Sequence, residues 1–306
     1  MTDHNTTLLD GGMGRELERR GAPFRQPEWS ALALMEAPEQ VVAAHQAFIA
    51  AGAQVITTNN YAVVPFHIGE SRFAERGQEL TALAGRLARQ ASRGTRVRVA
   101  GSLPPLFGSY RADLYQAERV QELATPIIAG LAAHVDLWLA ETQSLIAEVR
   151  AVRALLPEDG KPYWVSFTLQ DAVVNEIPRL RSGEPVAEAI RAAIELGAEA
   201  ALFNCSQPEV IESALQVAAS VRDELGVTLK LGAYANAFPP QPEEATANDG
   251  LDELRTDLDP PAYLQWARRW QTVGANLIGG CCGIGPEHIA ELATAFGTAQ
   301  AAEVTA

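Results

Sequence analysis

The chain has 306 residues, 47% of them hydrophobic and 20% charged, which is ample material for a large buried core. Acidic side chains outnumber basic ones 38 to 24, and no block of Lys and Arg offsets the formal charge of −14, which argues against a nucleic-acid partner. The opening MTDHNTTLLDGG lacks both a basic leader and a long apolar core, and no run approaches the roughly 18 apolar residues that span a bilayer. A membrane role is therefore not expected, and the expected location is cytoplasmic.

Short apolar runs bounded by Gly, Pro and Asn predict eight strands: Thr7–Asp10, Val55–Thr58, Val97–Gly101, Leu137–Glu141, Tyr163–Thr168, Ala200–Asn204, Leu229–Ala233 and Ala275–Gly279. Helical patterns lie between most of them. Pro38–Ala51 begins with a proline, which suits a first helical turn, and carries apolar residues at helical spacing; Pro185–Leu196 and Pro261–Val273 are built the same way. Three helices end in Gly-Ala directly before a strand, at Gly52, Gly197 and Gly274. Glycine just past a helix end accepts the left-handed cap conformation, and a short loop then enters a parallel strand.

Strand-then-helix repetition implies a parallel sheet covered by helices. Eight units fit a single (β/α)8 TIM barrel over residues 1–298, with 299–306 as a frayed tail; an open sheet of six to eight strands is the alternative. The segment Pro239–Pro261 is rich in Pro, acidic and small residues, and is expected as a long loop after the seventh strand, either a functional lid or a mobile excursion.

In such a barrel, the C-terminal ends of the strands face the active site. Here they carry Asp10-Gly11-Gly12, Thr57 to Tyr61, Glu141-Thr142, Asn204-Cys205-Ser206, Tyr234-Ala235-Asn236, and Gly279-Gly280-Cys281-Cys282-Gly283. All three cysteines of the chain sit at strand ends. Strands six and eight are near neighbours around the ring, so their ends can converge. Successive strand residues point to opposite faces, so Cys281 and Cys282 reach one metal only if the backbone departs from that geometry. Gly279, Gly280 and Gly283 permit the departure. Three thiolates leave one tetrahedral position open, as in a catalytic zinc site, so Zn2+ is the expected cofactor. Competing readings are a lone Cys205 as a small buried apolar residue and the adjacent pair as a redox dithiol. The five histidines have no metal-ligand spacing.

These strand ends resemble the homocysteine S-methyltransferase family, which includes betaine–homocysteine methyltransferase, S-methylmethionine-dependent enzymes and the N-terminal barrel of cobalamin-dependent methionine synthase. The resemblance runs through LLDGGMGRELERRG (Leu8–Gly21), VITTNNY (Val55–Tyr61), GSLPP (Gly101–Pro105), ET (Glu141–Thr142), FNCS (Phe203–Ser206), YANA (Tyr234–Ala237) and GANLIGGCCGIGPEHI (Gly274–Ile289). It implies zinc on Cys205, Cys281 and Cys282, with the substrate thiolate as fourth ligand, and methyl transfer from a sulfonium or quaternary ammonium donor to homocysteine, giving methionine. It implies further that Asp10 and Glu141 hold the substrate ammonium and that Asn236 contacts the metal environment or substrate. Backbone N–H groups of Gly11 and Gly12 are expected near the substrate carboxylate. The other reading of Asp10 is a cap for the helix from Met13, a role that can coexist with ammonium binding. Tyr61 and Tyr234, with Trp29 a weaker candidate, are the aromatic faces that suit a cationic donor. Two departures touch this pocket: Ala235 stands where many relatives have proline, and TNNY replaces a more usual Thr-x-Ser/Phe-Tyr/Phe. The alternatives are transfer to another thiol or selenol, transfer together with a separate corrinoid or folate protein, and a zinc-binding sensor barrel without turnover. The sequence leaves monomer and homodimer equally open.

Overall fold

A computed structural model describes residues 6–172, 177–241 and 253–297. Strands form at all eight expected places: β1 Thr7–Leu8, β2 Val55–Thr57, β3 Arg98–Leu103, β4 Leu137–Gln143, β5 Tyr163–Phe167, β6 Ala200–Asn204, β7 Lys230–Tyr234 and β8 Ala275–Ile278. They make one sheet in the order β1-β8-β7-β6-β5-β4-β3-β2, and every neighbouring pair is parallel. Between β1 and β2 a parallel bridge joins Leu9 to Val55, and the Gln54 N–H donates to the Leu8 carbonyl at 2.7 Å. These contacts bring the two ends of the sheet together, which gives a (β/α)8 barrel and rules out the open sheet.

The three helices expected to start at Pro38, Pro185 and Pro261 are Pro38–Ala50, Val186–Glu195 and Pro260–Thr272, each within a residue or two of expectation. The glycines after them, Gly52, Gly197 and Gly274, have φ of 108°, 73° and 100°, the left-handed region that a Cβ would resist. Further helices, among them Glu70–Ala91, Pro208–Leu225 and Pro286–Phe296, complete the outer layer. No described helix is long and apolar enough to cross a membrane.

Strand alternation sorts side chains into two cores. Leu9, Val55, Leu137, Leu139, Trp164, Leu202 and Leu277 fill the barrel interior. Their neighbours Leu8, Ile56, Trp138, Val165, Phe203 and Ile278 pack outward against the helices. The inward parity of β4 and β6 continues to Glu141 and Asn204, so polar residues close the top of the apolar interior. Of Pro239–Pro261, residues 239–241 and 253–261 are described, and both stems are pinned: Gln241 N–H donates to Asp171 Oδ1 at 3.2 Å, and Arg255 N–H to the Ala237 carbonyl at 2.8 Å. Residues 242–252 and the tail 299–306 lie outside the described residues.

Leu202 is fully buried inside the barrel. Replacing it with alanine is expected to cost about 2–5 kcal/mol. In urea unfolding the midpoint should fall while the slope stays unchanged.

Candidate active site

By strand parity Cys205 should face the helices, because Asn204 before it faces inward. A φ of 49° at Cys205 breaks the alternation and turns its thiol to the barrel mouth. The same device acts at the end of β4, where Thr142 has φ 55° directly after inward-facing Glu141. Left-handed backbone is costly for a β-branched residue, so it needs external support. Asn204 supplies it: its Oδ1 accepts from Thr142 N–H at 3.0 Å and its Nδ2 donates to Thr142 Oγ1 at 2.8 Å. Ser166 Oγ donates to the same Oδ1 at 2.6 Å. The two strand-end turns thus hold each other.

Cys281 and Cys282 follow β8 on a loop laced to both flanks. Cys281 N–H donates to the Ala235 carbonyl at 2.8 Å and Ala237 N–H to the Cys282 carbonyl at 2.8 Å; on the other side Gly280 N–H donates to the Asp10 carbonyl at 2.9 Å. The Cα atoms of Cys205 and Cys281 are 5.7 Å apart, with their sulfurs in contact as a disulfide pair. The three sulfurs lie within 4.8 Å of one another. Thiolates around one tetrahedral zinc at about 2.3 Å sit about 3.8 Å apart, so the trio fits a metal once Cys205 and Cys281 are reduced.

The glycines of the loop serve close packing more than torsional freedom. Only Gly283 of the expected three is left-handed, at φ 83°. A Cβ on Gly279 would meet the Leu9 side chain and the Asp10 carbonyl, and one on Gly280 would meet Ile284. Gly12 is placed similarly, because its Cβ would lie 2.5 Å from the Cys281 carbonyl oxygen. Its N–H, expected near a substrate carboxylate, donates instead to the Ile284 carbonyl at 2.9 Å. Gly11 and Gly12 both line the cavity, where they let the first βα turn lie against the cysteine loop.

Asp10 and Glu141 are both buried at the edge of the same cavity of about 240 Å³. Asp10 Oδ2 accepts from Thr57 N–H at 2.7 Å and its Oδ1 from Thr57 Oγ1 at 3.3 Å. It does not cap the helix Met13–Arg19, whose N-cap is Gly12 with no side-chain bond. Glu141 Oε1 accepts from the Ser102 hydroxyl. Burial pushes the Asp10 carboxyl up to about 7 against the Thr57 N–H that lowers it, and the Glu141 charge raises it further. Burial likewise pushes Glu141 up to about 7, opposed by the Ser102 bond.

Tyr61, Tyr234 and Trp29 all line this cavity. The Tyr61 hydroxyl lies 2.5 Å from Ser109 Oγ, and burial holds both phenols above their ordinary range and so neutral. Asn236 stands behind the wall between the cysteine limbs. Its N–H donates to the Ser206 carbonyl at 3.2 Å, its Oδ1 accepts from Gln207 Nε2 at 3.3 Å, and its buried Nδ2 has no partner among the described residues.

The family model for homocysteine S-methyltransferase matches residues 7–296. The chain belongs to the homocysteine S-methyltransferase family. It is 32% identical to the Escherichia coli homocysteine S-methyltransferase, over 93% of each chain. It is 30% identical to homocysteine S-methyltransferase YbgG of Bacillus subtilis, over 94% of this chain and 93% of that one. Among solved structures, the metallated form of the E. coli homocysteine methyltransferase MmuM aligns with a TM-score of 0.75 at 28% identity, covering 95% of this chain and 96% of that one.

Several residues at this family member's site were not legible beforehand. Tyr110 lines the cavity at φ 69°, with the Arg181 guanidinium 4.7 Å from its ring centre and its hydroxyl 3.5 Å from the Cys205 carbonyl. No motif marked it. His67, given no role by spacing, also lines the cavity and lies 3.1 Å through Nδ1 from the Pro27 carbonyl. Asn204 lay inside the FNCS match but was not distinguished from the cysteine beside it.

The raised carboxyls carry a stability signature. In the folded chain Asp10 and Glu141 keep their protons up to about 7, whereas unfolded carboxyls lose theirs near 4. The folded form therefore binds more protons across that window, and these groups' contribution to stability declines as pH rises from about 4 to 7. Asp10→Asn should reduce that decline. The check is the unfolding free energy of ligand-free wild type and variant in urea at pH 5 and pH 7.5.

Proposed function

We propose that the chain is a zinc-dependent methyltransferase that moves a methyl group from a sulfonium or quaternary ammonium donor to the sulfur of homocysteine, giving methionine. One observation carries the reading: three cysteine sulfurs within 4.8 Å of one another open onto the same cavity as two buried carboxyls. A metal carrier would need the first and have no use for the second. Three soft thiolates suit zinc and leave one of its four positions free. When bound there, zinc would hold the acceptor sulfur deprotonated at neutral pH.

The remaining work falls to the chain's own groups. Asp10 and Glu141 are placed for the substrate ammonium, and a cation between them lowers both raised pKa values, so they ionise as the substrate binds. Thr57 and Ser102 hold the carboxylates in place through the bonds described above. Among the described residues no Lys or Arg lines the cavity, which favours a cationic donor over one carrying phosphates or a polyanionic tail. Tyr61, Tyr234 and Trp29 offer neutral aromatic faces to such a cation. Holding donor carbon and acceptor sulfur in line supplies proximity; the bond from methyl carbon to donor breaks as the carbon–sulfur bond forms, and the donor leaves neutral. We assign the activity to one barrel spanning 1–298 and place it in the cytoplasm, where the thiols stay reduced.

Purified under reducing conditions, the protein is expected to hold close to one zinc per chain by elemental analysis, and to form methionine from homocysteine and an onium donor. Cys281→Ser should lose both metal and turnover while the circular dichroism spectrum is retained; full activity without metal would refute the mechanism. Glu141→Gln should keep its zinc yet raise the KM for homocysteine about 10- to 100-fold, the size of a lost charge-assisted bond.

A further inference from the structure

The parallel ladder between β7 and β8 continues past both strands into the cysteine loop, with one bond replaced. Gly279 N–H donates to the Ala233 carbonyl at 3.1 Å, and two residues on Cys281 N–H donates to the Ala235 carbonyl at 2.8 Å. In a regular parallel ladder the bond between these two runs from Ala235 N–H to the Gly279 carbonyl. Here a side chain is inserted instead. Ala235 N–H donates to the Tyr263 hydroxyl at 3.1 Å, and that hydroxyl donates to the Gly279 carbonyl at 2.7 Å.

Tyr263 reaches this gap from the helix Pro260–Thr272, with its ring fully buried edge-on between Trp270 (5.6 Å) and His288 (5.8 Å). That helix is anchored by Asp259, which accepts from Ala262 N–H at 2.9 Å. The oxygen is therefore held by rigid packing. It keeps Ala235 and Gly279 farther apart than the roughly 2.9 Å of a direct bond. The spacing matters because Gly279 begins the turn that carries Cys281 and Cys282, and Ala235 precedes Asn236 on the opposite limb. Without the hydroxyl, the Ala235 N–H would be left to close the gap directly.

We propose that Tyr263 is a positioning residue of the metal site: its hydroxyl is a one-atom spacer in the β7–β8 ladder that sets the separation at which Cys281 and Cys282 converge on Cys205. The inference rests on the metal reading for its consequence, but the convergence of the three thiols can be measured without it.

Tyr263→Phe keeps the packed ring and removes only the spacer. Two affinities are compared in reduced wild type and variant: zinc, by competition with a chromophoric chelator, and phenylarsine oxide, which needs two convergent thiols. The variant is expected to fold with an unchanged circular dichroism spectrum and to lose about 10- to 100-fold in zinc affinity, as other removals of supporting bonds do, with a parallel loss for the arsenical. A variant that unfolds more easily yet binds both probes like the wild type overturns the proposal and leaves Tyr263 a packing residue. A wild type that takes no zinc but captures the arsenical refutes the zinc mechanism, and the arsenical ratio alone then decides the spacer. A wild type that captures neither overturns both. Should the variant fail to fold, amide exchange in the wild type decides: a protected Ala235 N–H supports the bridge, and an unprotected one overturns it.

Discussion

The site depends on suspending strand alternation at the barrel mouth. A β-strand sends neighbouring side chains to opposite faces, which suits the two apolar cores below and frustrates any attempt to bring consecutive residues to one ligand. Left-handed turns at Thr142 and Cys205 resolve this on the β4 and β6 side. The Asn204 side chain ties the two turns together, so each offsets part of the strain of the other. On the β8 side a loop stitched to both neighbours performs the same task for Cys281 and Cys282. The apolar interior beneath, from Leu9 to Leu277, is the rigid base from which these irregular ends project.

Charge follows from that geometry. Turning Glu141 inward at the end of an apolar strand buries a carboxyl, burial raises the proton affinity of both Glu141 and Asp10, and the Glu141 charge raises that of Asp10 further. A cavity with acids and no lysine or arginine among its described lining has an unmet preference for positive charge. In the proposed reaction both the ammonium end of the substrate and an onium donor would answer it. The excess of acidic over basic residues in the chain is a separate matter from these two buried carboxyls.

The fold was readable because its signals are local and repeated: apolar runs, prolines that start helices and Gly-Ala pairs that end them. That the cysteines, Asp10 and Glu141 gather at one cavity was readable because the strand ends of a barrel converge at its mouth. What escaped was relational. Nothing in the string marks Tyr263, in a helix of ordinary pattern, as the residue whose oxygen sits in a ladder between two strands, nor Tyr110 as a wall of the cavity. The glycines of GGCCG were expected to supply torsional freedom, yet two of the three prevent collisions with Leu9, Asp10 and Ile284 that only packing reveals. Gly12 shows the same gap, since its amide was already committed to Ile284.

The Asp10 carboxyl takes the Thr57 N–H at the β1–β2 closure, where an isolated bridge and the bond from Gln54 N–H to the Leu8 carbonyl join the ring. The carboxyl proposed to hold the substrate ammonium is therefore also a rivet of the closure. On that proposal a substitution at position 10 acts twice, once on turnover and once on the integrity of the ring. A substitution there that suits a new ligand has to keep the Thr57 contact as well.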